Sequence, residues 1–290
     1  MDTEALIEWV LERSVSTSLG EEGPPLLGKA IRHAVFPGGA RVRPRLCVAV
    51  AAACGAREDI GIAAGAGAAI ELMHCASLVH DDLPAFDAAE TRRGKPSVHR
   101  IYGEPLAVLA GDALIVMAFE TLIRESAAAP GRCLSLIRVV TRATGAAQGI
   151  VAGQAWESEP KINLAAYHQA KTGALFVAAA EAGAVAAGAD AAPWQELGAR
   201  LGEAYQVADD LRDALLGEDV LGKPAGQDVR LGRPSAVEAF GVRGAVDELN
   251  RMIAEASASI PECPGAGFLR DLVAAQAARL TPASLLRQVA

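Results

Sequence analysis

Aromatic side chains are rare in this 290-residue chain, at 4%, and no run of alternating β-branched residues stands out. That leaves little from which to build the faces of a β-sandwich or barrel. Basic charge is also in short supply: Lys+Arg number 27 against Asp+Glu 35, a net charge of −8, which argues against nucleic-acid binding as the main activity. Cys47, Cys54, Cys75, Cys133 and Cys263 are odd in number and show no CxxC spacing. Neither a disulfide framework nor a zinc site is expected, and a reducing cytoplasm is the default setting. The opening MDTEALIEWVLERS carries acids where a secretory leader would carry Lys or Arg. No apolar run reaches the ~18 residues of a membrane span before a charge interrupts it, so no span is expected.

What the chain does have is Ala and Leu, within a hydrophobic content of 51%. Both are strong helix formers, so the composition points to an all-α protein. Spacing and breakers predict helices over 4–13, 26–35, 44–54, 59–82, 104–128, 132–157, 164–188, 192–216, 235–259 and 265–287. The segment GEDVLGKPAGQDVRLGRPS (217–235) is the longest irregular stretch, readable as a surface loop or as a lid over a site. With no low-complexity linker and no internal repeat, residues 1–290 read as one all-helical domain with a large core.

Against this apolar background stand two acidic clusters. LVHDDLPAFD (78–87) holds Asp81, Asp82 and Asp87, and YQVADDLRD (205–213) holds Asp209, Asp210 and Asp213. Asp209 and Asp213, at i and i+4, share one helix face in the last turns before Gly217, where the helix dipole disfavours anions. Asp81 and Asp82 end another helix, which Pro84 stops. Such carboxylates repel one another and the dipole, and neither cluster has an obvious lysine of its own. A hard divalent cation answers this. Oxygen donors suit Mg²⁺, which takes one or two carboxylates and completes its shell with water and substrate phosphates. The plainer reading is a pair of solvated helix ends, and finding the pattern twice weighs against it.

Basic residues alternate with these clusters: Arg41, Arg43 and Arg45 in GGARVRPRL, Arg92 and Arg93 in TRRGKPS, then Lys171-Thr172 and Lys223. Each alone reads as a surface charge. Together they suit a diphosphate held between metal ions and cationic side chains.

FPGGARVRP, ELMHCASLVHDDLPAFDAAETRRGKPSVHR, LAGDALIVMAFETL, YHQAKTGALF and AYQVADDLRDALLGEDVLGKPAGQD resemble, in that order, the motifs of the trans-polyprenyl diphosphate synthases. The likeness is strongest to bacterial geranylgeranyl diphosphate synthases of the carotenoid-pathway type and spans about residues 28–235. It implies the isoprenoid synthase fold, a helical bundle around a deep central cavity, usually homodimeric. It implies condensation of isopentenyl diphosphate with an allylic diphosphate (dimethylallyl, geranyl or farnesyl), with three Mg²⁺ ions bridging the acidic clusters to the allylic substrate. Carried over by position, Asp81, Asp82 and Asp87, and Asp209 with Asp210 and Asp213, are metal ligands. Arg92, Lys171 and Lys223 hold the allylic diphosphate, while Arg43, His74 and Arg93 hold isopentenyl diphosphate. Thr172 and Gln206 line the reacting centre. Without the motif, His74 reads as a core histidine. Asp112 reads as a buried structural or supporting acid. One departure stands out: the lysine that follows the glycine pair in many members is Ala40 here. Weaker isopentenyl diphosphate binding, or compensation by another cation, is expected. The acids often seen after the first cluster are reduced to Ala88-Ala89-Glu90.

Each helical turn before Asp81 rises ~5.4 Å, about one isoprene unit. In the family a bulky aromatic at the fourth or fifth position upstream stops the product at fifteen carbons, and those positions here are Ser77 and Ala76. A cavity at least one turn deeper, floored by Met73 or Leu72, or by Met117 and Phe119, implies a twenty-carbon product. Farnesyl diphosphate is the alternative, and Ala76 and Ser77 also read as plain close-packing residues. Among other classes, terpene cyclases carry an Asn/Ser/Glu pattern where this chain has DDLRD. A His–Asp phosphohydrolase needs several imidazoles, and no other histidine pairs with His80-Asp81 at helical spacing. A non-catalytic partner subunit is expected to have lost a metal aspartate, and none is lost.

Overall fold

The computed structural model of the chain describes residues 2–36, 38–57, 59–215 and 235–280, the side chains of 277–280 excepted. It is a helical bundle. α1 (Thr3–Leu19), α2 (Pro25–Val35), α3 (Val42–Ala53) and α4 (Ile60–Asp81) come first. α5 (Val98–Tyr102), α6 (Glu104–Glu125), α7 (Pro130–Thr144), α8 (Ile150–Ala155) and α9 (Leu164–His168) follow. α10 (Ala174–Ala186), α11 (Gln195–Leu215), α12 (Ala236–Ala258) and α13 (Ala266–Leu280) complete it.

α4 is the central helix. Its sequence IGIAAGAGAAIELMHCASLVHD is apolar almost all round, and such a helix must be covered on every side. α3, α6, α10 and α1 cover it. Both α4 and α6, at 22 residues each, are long and apolar enough to cross a membrane by length and composition. α4 is nevertheless a core helix, whereas α6 turns one face to α4 and leaves the other exposed. A smaller apolar cluster joins α11 to α12 through Val207, Leu211 and Leu249. All five cysteines are free, and burial pushes the Cys47 and Cys75 thiols up to about 12.

Several expectations need correction. Thr91–Arg92 (β1) and Lys95–Pro96 (β2) form a two-stranded antiparallel hairpin, too short for an alternation pattern to reveal. Its turn residues Arg93 and Gly94 have φ of 54° and 72°, the doubly positive turn that two-residue hairpins favour. The single helix expected over 132–157 is interrupted between α7 and α8, where Gly145 and Gly149 outweigh the alanines beside them. The helix expected over 164–188 passes from α9 to α10 through a π turn at Gln169–Gly173. The N-terminal helix is longer than 4–13, reaching Leu19. Residues 217–234, with Lys223 among them, lie outside the described residues.

Candidate active site

The C-terminal ends of α4 and α11 face a common cavity of about 650 Å³. Asp81 and Asp87 reach it from the first cluster and Asp209 from the second. Asp81 is largely buried: its Oδ1 accepts no hydrogen bond and lies 3.7 Å from the Lys171 ammonium. Burial raises the Asp81 pKa, and Lys171 works against that rise. A buried, underpartnered carboxylate oxygen beside two further carboxylates fits a hard cation. Among the described residues no three acidic, histidine or cysteine side chains converge on one metal position by themselves.

The second aspartate of each pair points elsewhere. Asp82, 2% exposed, is absent from the cavity lining and accepts hydrogen bonds from Arg92 Nε at 2.9 Å and from Arg92 Nη2. Burial raises the Asp82 pKa, and the Arg92 hydrogen bond opposes it. Burial also works against the Arg92 charge, but Asp82 overcomes it and holds the guanidinium pKa high. Asp210 is likewise buried. It accepts from Gln206 Nε2 at 3.0 Å and from the Ala236 backbone N–H at 2.7 Å, at the start of α12. Asp82 Oδ1 is thus engaged by a guanidinium, and the two Asp210 oxygens by an amide and a helix N-terminus, while Asp81, Asp87 and Asp209 are the aspartates that line the cavity. Asp213, one turn past Asp209, does not line the cavity.

One cation comes from just after the first cluster and another from far along the chain. The hairpin delivers Arg92 and the π turn delivers Lys171. Thr172, beside Lys171, donates to Gln206 Oε1 at 2.9 Å, so both reach the cavity together. Deeper in, Arg43 is buried, with its guanidinium 4.7 Å from the Phe176 ring centroid and 5.9 Å from that of Tyr205. Among the described residues its Nε has no hydrogen-bond partner, and burial lowers its pKa. No described carboxylate bonds to it, although Glu71 acts on it through charge, and a buried guanidinium at a cavity wall suits an anion. His74 lies in the same wall, and burial followed by the Arg43 charge depresses its pKa far enough to keep it neutral. Arg93 stands behind, donating to the Gly38 carbonyl, and does not line the cavity. Arg41 cannot make good the lysine missing at Ala40. Its guanidinium is tied to Glu8 at 2.7 Å, Glu71 at 2.9 Å and the Val35 carbonyl at 2.8 Å.

Residues 24–264 match the polyprenyl synthetase family. The geranylgeranyl diphosphate synthase of Cereibacter sphaeroides is 54% identical over 289 residues, covering 100% of both chains. The farnesyl diphosphate synthase of Geobacillus stearothermophilus is 37% identical, over 82% of this chain and 84% of its own. A crystal structure of the Helicobacter pylori geranyltransferase, complexed with magnesium and isoprenyl diphosphate, superimposes with a TM-score of 0.77. It is 29% identical and covers 95% of this chain and 97% of that one. The chain is a polyprenyl synthetase.

The synthetase also uses residues that the sequence did not single out. Glu157 accepts from Tyr167 Oη at 2.7 Å and from Lys171 Nζ at 2.5 Å, and so aims the lysine toward Asp81. Gly153 allows α8 this close, because a Cβ there would lie 2.5 Å from the Lys171 backbone. The one available signal was a lone acid in GQAWES, outside any cluster. Ala76, Ser77 and Met73 line the cavity as expected. Leu72, Met117 and Phe119 do not; Ile115, Thr144, Ile150 and Val151 stand there instead. Leu72 and Met117 are buried against the core, on the sides of α4 and α6 turned from the cavity. Asp112 is not the buried acid expected. It is 59% exposed and sits 3.7 Å from His80 Nε2, on the outer face of α6.

Proposed function

We propose that this polyprenyl synthetase is a trans-prenyltransferase that condenses isopentenyl diphosphate with dimethylallyl, geranyl and farnesyl diphosphates. Its product is geranylgeranyl diphosphate, and each addition releases diphosphate. The observation that carries the reading is the shared cavity, with Asp81, Asp87, Asp209, Arg92 and Lys171 at its polar end and Met73, Ala76 and Ile115 along its apolar wall. Cations gathered around a leaving diphosphate favour heterolysis of the allylic C–O bond. Apolar walls accept the hydrocarbon.

In this reading Arg92 and Lys171 hold the allylic diphosphate, with Lys223 as a further candidate. Asp81, Asp87 and Asp209 would hold divalent cations, Mg²⁺ by preference and three with substrate bound; when bound, these neutralise the departing diphosphate. Arg43 and neutral His74, with Arg93 behind them, orient isopentenyl diphosphate. Its double bond attacks the allylic carbon as the C–O pair leaves with diphosphate. The tertiary cation this leaves on the isopentenyl unit loses a proton from its neighbouring CH2 on the diphosphate side, which the released diphosphate can take up, and a new allylic double bond results. Thr172 and Gln206 flank the reacting carbons. A homodimer is the proposed assembly, for which α6 offers an exposed apolar face. The free thiols support a reducing, cytoplasmic setting.

Ser77 and Ala76 favour twenty carbons over farnesyl diphosphate, because neither blocks the cavity one turn below Asp81. The test is a product assay with labelled isopentenyl diphosphate and each primer, in Mg²⁺ and then EDTA, on the native chain and on Ser77→Phe. A Mg²⁺-dependent twenty-carbon product that Ser77→Phe shortens to fifteen is expected. A native product stopping at fifteen carbons would overturn the length assignment, and no elongation from any primer would overturn the activity.

A further inference from the structure

The glycine pair brings residue 40 to the edge of the cationic wall. Arg93 donates to the Gly38 carbonyl, and a Cβ on Gly39 would lie 2.9 Å from the Arg93 guanidinium carbon. Yet Ala40 is exposed and offers only a methyl group, and Arg41 is bound to Glu8 and Glu71. Arg43 therefore faces the cavity with a neutral His74 beside it and no lysine. Tyr205 stands against the same guanidinium. Its ring centroid is 5.9 Å from the Arg43 guanidinium carbon and 5.3 Å from the Phe176 centroid, the two rings tilted by 44°. Tyr205, Gln206 and Asp209 all line the cavity from α11. Tyr205 and Asp209, at i and i+4, share a helix face, so the phenol sits about one turn (~5.4 Å) from the carboxylate, on the Arg43 side. Packing on Phe176 needs only the ring. Among the described residues the Tyr205 hydroxyl makes no hydrogen bond, and a half-buried phenol ordinarily finds a partner for its O–H.

We propose that Tyr205 is a further substrate-binding residue, its hydroxyl donating a hydrogen bond to the diphosphate of the isopentenyl diphosphate held at Arg43. The phenol thereby offsets the lysine missing at Ala40. A neutral donor adds no positive charge beside a guanidinium whose charge burial already penalises. The assignment rests on the elongating-synthase reading and deepens it, giving the isopentenyl diphosphate subsite an uncharged member.

The experiment removes one oxygen. Isopentenyl diphosphate and geranyl diphosphate, each alone and in Mg²⁺, are titrated by calorimetry into the native chain and into Tyr205→Phe. Both chains also enter a steady-state elongation assay. Tyr205→Phe keeps the ring on Phe176, so the fold is retained. A hydrogen bond to a charged acceptor is worth about tenfold in affinity. Tyr205→Phe should therefore raise Kd and KM for isopentenyl diphosphate about tenfold, with kcat and geranyl diphosphate binding unchanged. Ala40→Lys, added to Tyr205→Phe, should recover most of that loss. A Tyr205→Phe chain that binds isopentenyl diphosphate as tightly as the native chain overturns the proposal and leaves the synthase reading intact. So does an equal loss for geranyl diphosphate, which would mark the hydroxyl as structural. A double variant that binds no tighter than Tyr205→Phe overturns the compensation. A native chain that binds no isopentenyl diphosphate overturns both the proposal and the reading beneath it.

Discussion

At the end of α4, Asp81 faces the cavity while Asp82 turns back to a guanidinium; at the end of α11, Asp209 faces the cavity while Asp210 turns back to a backbone N–H. The likeness lies in the division of tasks, and the difference in what each second aspartate secures. Asp82 clamps the hairpin that carries Arg92, through a partly buried ion pair. Asp210 ties the start of α12 to α11, where α12 also has its own cap, the Ser235 side chain accepting from Glu238 N–H. A buried ion pair depends on charge at both partners, whereas a helix N-terminus needs only an acceptor. Adjacent aspartates in one motif thus differ sharply in chemical tolerance.

The largest effect should separate first from second aspartates. Asp81→Asn and Asp209→Asn are expected to lower turnover on the order of a thousandfold, as loss of a charge that stabilises the transition state does. Their far-ultraviolet circular dichroism should stay native. Asp81→Asn should also stabilise the metal-free protein at neutral pH. Burial lifts the Asp81 pKa above the ordinary carboxylate range. A carboxyl so raised contributes stability that is complete below the unfolded pKa and is lost as pH rises through the folded one. The variant's advantage in Tm, measured in EDTA, should therefore grow as pH increases from acid to neutral. A native chain that outlasts the variant at pH 7 would break the comparison.

Next comes Asp82→Asn, which leaves the partly buried Arg92 without its charge partner. About 1.5–3 kcal/mol of stability should be lost in urea unfolding, and activity with it. Asp210→Asn is smaller, about 1 kcal/mol, because an amide oxygen still accepts from Ala236. Equal losses for the two asparagine variants would show that charge at Asp82 is immaterial. The smallest effect concerns the loop after the first cluster. Ala88 sits at φ 50°, and Ala88→Gly should stabilise by roughly 0.5–1 kcal/mol.

The helices were legible because Ala-rich apolar runs with Gly and Pro breaks leave few alternatives, and both acidic helix ends were legible for the same reason. Charge logic located the anions and asked for cations. Arg92 and Lys171 were named only through the family resemblance; charge logic alone could not pair Lys171 with Asp81, since that contact crosses a long stretch of sequence. Nor does DD in sequence reveal that neighbouring aspartates on a helix point about 100° apart, one to the cavity and one away. Arg41 and Arg43 look equivalent in GGARVRPRL, yet Arg41 is hydrogen-bonded to Glu8 and Glu71 whereas Arg43 lies over the Phe176 and Tyr205 rings. The hairpin and the break at Gly145–Gly149 went unseen because each depends on single residues in special backbone positions rather than on periodicity.

The π turn at Gln169–Gly173 carries Lys171 and Thr172. Such a turn amounts to one residue inserted into a helix without lengthening its ends. The site is therefore sensitive to an indel that a substitution scan would never sample. Removing one residue there would restore α-helical register and swing α9 against α10 by about 100°. Lys171 would leave Glu157 and Thr172 would leave Gln206, although every side chain named in the motif would still be present in the sequence.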